Sequence, residues 1–244
     1  MLEELATQAF WIGLAKIIGV NIVLSGDNAV VIALAARSLP PKQRKQAIFW
    51  GAGAAVILRI ILTVFAVALL TLPWLKIIGS LLLFWIGIKL LVPEEGVDEI
   101  EASEHLISAI KTILIADLVM SLDNVIAVAA AAGGSLTLLI LGLAISIPLV
   151  VFGATLLVHL MDRYPVIITL GAALIGLVAG EMLVTDPVVV DWMKLNVEGY
   201  QLAGDKPQVQ GMSLELIAGV IGAVIVVVWG LRLAKRKRAK TGNS

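Results

Sequence analysis

Residues 21–38 read NIVLSGDNAVVIALAARS, with the polar side chains Asn21, Ser25, Asp27 and Asn28 set inside an otherwise apolar run. The fold depends on whether that run is a short buried core helix or part of a bilayer span. Composition decides between them. Of 244 residues, 60% are hydrophobic and 15% charged, whereas soluble domains hold roughly half apolar and a quarter charged residues. Seven apolar segments stand out, at 9–37, 46–70, 74–92, 107–132, 136–158, 165–185 and 212–233. A bilayer crossing takes about 20 helical residues, which each segment meets or approaches. The expected fold is an all-α polytopic membrane protein with seven transmembrane helices. Pro40-Pro41 ends the first segment, Pro73 begins the third, Pro93 ends it, and Gly133-Gly134 marks a tight turn between the fourth and fifth.

Working outward from the opening stretch, residues 117–134 read DLVMSLDNVIAVAAAAGG, and seven of the eighteen positions match residues 21–38 without a gap. The shared alanines carry little weight. The shared Ser-x-Asp-Asn carries much more, because such residues are rare at membrane depth. Pro73 and Gly79 of the third segment also match Pro165 and Gly171 of the sixth, a register that aligns Lys89 with Glu181. Segments one to three and four to six therefore read as two copies of one unit. Three crossings per copy make the repeat inverted, an arrangement that places a transporter's site near the midplane between copies. The second and fifth segments show no comparable match. The expected organisation is a first repeat over 1–92, an acidic cytoplasmic linker over 93–106, a second repeat over 107–185, a polar outer loop over 186–211, and a seventh helix with a basic tail over 212–244.

The chain holds 18 Lys and Arg against 18 Asp and Glu, so no net charge draws it toward nucleic acid, and the expected surroundings are lipid. Cysteine is absent, which removes disulfides and thiolate metal ligands. Glu3 and Glu4 stand where a signal peptide carries basic residues, so no cleaved signal is expected. Arg37, Lys42, Arg44 and Lys45 follow the first segment, and LRLAKRKRAK follows the seventh. The bias of basic residues toward the cytoplasm puts both inside and the N-terminus outside. The expected location is the cell membrane, multi-pass and of bacterial type.

Asn21, Ser25 and Asn28 share one helical face, as do Asp117, Ser121 and Asn124, being spaced by four and three residues. Asp27 and Asp123 fall about 100° off those faces in a regular helix. Either they point elsewhere or the backbone unwinds near Ser25-Gly26-Asp27, a break that Gly26 eases in the first copy and Leu122 does not ease in the second. A carboxylate near the bilayer centre costs about 3 kcal/mol on insertion scales, so these acids require a compensating cation. Carboxylates, hydroxyls and amides together form an oxygen-rich set suited to hard divalent ions such as Mg²⁺, Ca²⁺ or Mn²⁺. The surplus negative charge suits exchange of metal against protons.

The paired stretches NIVLSGDNAVVIALAA and DLVMSLDNVIAVAAAA resemble the TerC family of integral membrane proteins, and most closely its shorter YjbE-like branch. The resemblance runs from about residue 9 to 233. It implies two inverted three-helix repeats and export of metal ions, chiefly manganese. It also implies that Asn21, Ser25, Asp27, Asn28, Asp117, Ser121, Asp123 and Asn124 hold the metal. Many members carry an acid where this chain has Asn21, which lowers the charge of the site here.

The leading expectation is a secondary transporter exporting Mn²⁺, coupled to a proton gradient, with no tightly bound cofactor and no enzymatic activity. The nearest alternatives are a Ca²⁺/H⁺ antiporter and a non-transporting membrane subunit that supplies metal to a partner enzyme. A homo-oligomer or a partner membrane protein fits either. An intramembrane aspartyl protease also needs two aspartates, but the Asn after each Asp has no role in that chemistry. Arg59, inside VILRIILT, reads equally as a counter-charge or gate for an empty site and as a structural partner of an acid. Lys111 reads as a snorkelling lysine, and the acidic run from Glu94 to Glu104 as a solvated loop.

Overall fold

The computed structural model describes residues 8–24, 26–65, 72–92, 102–132, 135–203 and 206–241. Ser25, the Gly133-Gly134 turn and the acidic run from Glu94 to Glu101 lie outside the described residues. The protein is mostly helical, as it must be where no water is present to satisfy backbone groups. Its helices are α1 (Gln8–Leu24), α2 (Gly26–Ala36), α3 (Pro41–Val64), α4 (Leu75–Leu91), α5 (Ala102–Ala132), α6 (Leu136–Arg163), α7 (Val166–Val184), α8 (Pro187–Asn196) and α9 (Leu214–Thr241). Among the described residues five helices are long and apolar enough to cross a bilayer. The pair α1 and α2, bent 50° to one another, makes a sixth span if taken together. The third expected segment is the 17-residue α4, about 25 Å long at 1.5 Å per residue against a hydrocarbon core of about 30 Å.

The chain divides into two compact units, and neither is a continuous half of the sequence. The first comprises residues 1–70 and 97–163, the second residues 71–96 and 164–244.

In the first unit α3 packs along α5, while α1 and α2 pack on both α5 and α6. Ile17, Val56, Val128, Leu139 and Leu143 belong to one apolar cluster there. Close approach depends on two glycines. A Cβ on Gly51 would come within 2.8 Å of Ile113 Cδ1, and one on Gly142 would run into Ile17. At the start of α3, Arg44 reaches Asp162 at the end of α6 at 2.7 Å and the carbonyl of Arg37 at 2.6 Å.

In the second unit α7 lies between α4 and α9 and meets α9 most extensively. Lipid is as apolar as leucine, so packing rather than water exclusion joins helices in a membrane. The α7–α9 seam meets that condition by removing side chains. A Cβ on Gly176 would sit 2.6 Å from the Gly222 carbonyl oxygen, and one on Gly180 would strike the carbonyl of Ala218.

The region 186–211, expected as a plain polar loop, has structure of its own. It holds α8 and the strands β1 (Tyr200–Ala203) and β2 (Lys206–Val209), which pair with β3 (Met212–Ser213) just beyond it in a three-stranded antiparallel sheet. The fold is thus helical with one small sheet rather than purely α. Gln210 and Gly211, at φ 50° and 80°, form the two-residue link between β2 and β3. Such links with two positive φ angles match the twist of paired strands. Asp186 ties this region to the helices. Fully buried, its carboxylate accepts from the backbone N–H of Val188 at 2.9 Å, Lys76 at 3.1 Å, Ile77 at 3.3 Å and Trp74 at 3.4 Å. One side chain therefore caps the starts of both α4 and α8, and it holds Trp74 at φ 70°, a left-handed geometry that a tryptophan rarely adopts.

Replacing Asp186 by alanine strips all of these donors of their acceptor, at an expected cost of about 1–2 kcal/mol by analogy with other helix caps. Asp186→Asn, which keeps one acceptor oxygen, should cost less. Thermal melting of the detergent-solubilised protein tests the order wild type, Asn, Ala; coincident melts for wild type and Asp186→Ala would rule out the double-cap role.

Candidate functional site

Arg59 sits in the second half of α3 with only 3% of its surface exposed. A cation so deep in an apolar bundle must be paired and hydrogen-bonded, and its partners come from both sequence motifs. Nη2 donates to Asp117 Oδ1 at 2.6 Å, Nη1 to Asn21 Oδ1 at 2.7 Å and Nε to Ser121 Oγ at 2.9 Å. Ser121 in turn donates to Asp117 Oδ2 at 3.2 Å. Thr63, one turn on from Arg59, donates to the Arg59 carbonyl at 2.7 Å.

Local structure explains the convergence. Asp117 and Ser121 lie one turn apart on α5, which runs unbroken through the second motif. Asn21, 1% exposed, lies in the last turn of α1 just before the helix breaks. The break falls in the first motif, between Leu24 and Gly26, and α2 starts at that glycine. Asp27 thus occupies the first turn of a helix, where a carboxylate meets unpaired N–H groups and the positive end of the helix dipole. Its Oδ1 accepts from the Asn28 N–H at 2.8 Å.

Of the eight residues singled out in sequence, Asn21, Asp117 and Ser121 converge on the guanidinium. Asp27 is half-buried, Asn28 is buried, and Asn124 is half-buried on α5. Asp123 is part of α5, and the disposition of its side chain, like all of Ser25, lies outside the described residues. Among the described residues no three His, Asp or Glu side chains come together as a metal chelate. Here the charge that balances the motif carboxylate Asp117 is the protein's own arginine, in an ion pair whose side chains are 4% and 7% exposed.

One cavity borders this cluster at Asn21, and a second lies one turn along α3 from Arg59. One, of about 140 Å³, is lined by Asn21, Gly26 and Ala29 with Ser146, Leu149, Val150 and Gly153 of α6. The other, of about 270 Å³, is lined by Thr63 and Val64 together with Ala129, Ala132, Ser135, Leu136 and Leu139. The wall from α6 was not anticipated, although Pro148 inside an apolar run was a usable signal. A proline there removes the N–H that would bond the Ala144 carbonyl, which leaves polar backbone at membrane depth. Lys111 is exposed rather than part of the cluster.

A multi-pass helical bundle with a polar cluster drawn from two copies of one motif defines the class: an integral membrane protein with a buried charged centre. The chain belongs to the TerC family, since the model for "Integral membrane protein TerC family" matches residues 6–239. It is 45% identical over 177 residues to a Bacillus subtilis protein described as uncharacterized membrane protein YjbE, covering 72% of this chain and 81% of that one. YceF of the same organism, described in the same words, is 28% identical over 194 residues, covering 74% of each chain. YegH of Escherichia coli is 27% identical over 195 residues, which span 69% of this chain and 36% of that one. No solved structure matches the chain.

Breaking a buried ion pair by removing one partner typically costs about 3–5 kcal/mol, whereas replacing both by apolar groups is often neutral. Asp117→Leu should therefore melt well below wild type, and Arg59→Met/Asp117→Leu should recover most of the loss. Additive losses in this double-mutant cycle would show that the two side chains are not coupled.

Proposed function

We propose that this protein is a secondary transporter that exports a divalent cation, Mn²⁺ foremost, through the cluster to which the two repeated stretches 21–28 and 117–124 contribute. The observation that carries this reading is the convergence of both motifs on one cation. Asn21 of the first copy and Asp117 and Ser121 of the second turn their oxygens to a single positive group, far along the sequence from either motif. Side chains that hold a guanidinium at membrane depth make a ligand set for a hard divalent ion once it is vacated. The cavity beside Asn21 supplies space next to the cluster. Membership of the TerC family supports a transport role over a catalytic one.

In this reading the chain has seven spans, with α4 as the third and the bent pair α1–α2 as the first. The two three-helix sets are inverted copies, and the N-terminus lies outside with the basic C-terminal tail in the cytoplasm. Asp27, Asn28, Asp123, Asn124 and Ser25 complete the ligand set as the ion passes. A proton gradient drives export.

Manganese efflux from cells lacking their own exporters, with membrane levels matched, tests the proposal. Wild type should lower cellular manganese, and Asp27→Asn, Asp117→Asn and Asp123→Asn should each abolish the effect. Unchanged cellular manganese with wild type would refute manganese export. Calcium efflux in the same cells would then favour Ca²⁺/H⁺ exchange, and no flux of either ion would favour a metal-supplying subunit.

A further inference from the structure

The guanidinium of Arg59 stands where a cargo ion would have to stand. Among the described residues its donors engage Asn21 Oδ1, Asp117 Oδ1 and Ser121 Oγ, and both repeated stretches contribute. A divalent ion cannot take those oxygens while the guanidinium holds them. We infer that Arg59 is a tethered substitute for the cargo: it fills the ligand set between transport events, and only a divalent cation displaces it. This rests on the transport reading above and adds to it a residue that sets selectivity and resets the site.

The physical case has three parts. An unpaired Asp117 at this burial would carry a heavy desolvation penalty, so an empty site without Arg59 would be unstable. The substitute is covalently attached to α3, outside both motifs, so it returns without diffusing and leaves the motif helices free to change partner. Finally, charge decides what can compete. Coulomb energy scales with the charge of the ion. A monovalent ion brings the same charge as the guanidinium without its fork of directed hydrogen bonds, so it gains nothing by entering. A divalent ion brings twice the charge. The cavity at Asn21, about 140 Å³, is several times the roughly 30 Å³ that one water takes up in the liquid, so an ion can approach with part of its hydration shell.

A purely structural arginine and a substitute cation make opposite demands on the variant that lacks the charge. With the purified full-length protein in detergent, we would follow thermal melting of wild type, Arg59→Gln and Arg59→Gln/Asp117→Asn against MnCl2, CaCl2, MgCl2 and NaCl at matched ionic strength. Arg59→Gln should melt below wild type without divalent ions. Mn²⁺ should restore it, with a dissociation constant about tenfold lower than that of wild type. NaCl should stabilise Arg59→Gln measurably and wild type not at all. The double variant should lose the response to every ion. An Arg59→Gln protein that folds but gains no more from any divalent ion than wild type overturns the inference.

If Arg59→Gln fails to accumulate, Arg59→Lys poses the same question, because its point charge gives up the fork. Mn²⁺ must then stabilise Arg59→Lys more than wild type, and an equal or smaller gain overturns the inference. Paired with the efflux assay, the outcomes separate. Wild-type efflux without the Arg59→Gln response overturns the substitute and leaves manganese export standing. A Ca²⁺ or Mg²⁺ response without manganese efflux supports the substitute and removes manganese as cargo.

Discussion

The ion pair between Arg59 and Asp117, at 2.6 Å and almost wholly out of solvent, is the constraint that organises the first unit. Neither charge is stable alone in an apolar bundle, and the guanidinium has more donors than one carboxylate can take up. The end of α1 and the middle of α5 must therefore both face α3 at the same depth, bringing Asn21, Asp117 and Ser121 within reach. Apolar packing alone tolerates small slips between helices; a forked donor with directed bonds does not. The glycine contacts at Gly51 and Gly142 are consistent with this, since they let α3 and α5, and α1 and α6, approach closely on either side of the cluster.

The second unit is joined differently. The α7–α9 seam relies on backbone-to-backbone approach at Gly176, Gly180 and Gly222. A strongly polar device of this unit, Asp186, lies at the helix ends and satisfies N–H groups that would otherwise lack partners. Directed polar bonds in one unit and close steric fit in the other are the two means of helix association open to a protein in lipid.

The two motif copies do not fold alike, and the difference has a local cause. Gly26 follows Ser25 in the first, and the helix breaks there, with the two parts bent by 50°. Leu122 follows Ser121 in the second, and α5 continues. The same eight-residue pattern, 21–28 and 117–124, thus presents Asp27 at a helix start in one copy and Asp117 and Ser121 along a continuous face in the other. Half of the cluster was legible from spacing, because Asp117 and Ser121 had to share a face. The join to Asn21 was not, because it depends on where a broken helix ends and on which way α3 turns its arginine.

Composition and periodicity were enough to establish a helical membrane protein, since long apolar runs in a chain with few charges leave no other way to satisfy the backbone. The repeated Ser-x-Asp-Asn and a lone arginine in an apolar run were visible too, and each announced an unpaid electrostatic demand. What only the tertiary structure decided was who meets it. Arg59 had several acids to choose from in sequence, and the packing of α3 on α5 brings it onto Asp117. The same holds for Asp186, which reads as an ordinary loop acid until folding brings Trp74, Lys76 and Ile77 to it. Sequence spacing determines which residues share a face of one helix. Which faces meet is set by the summed packing of helices far apart in the chain, and no local pattern carries that information.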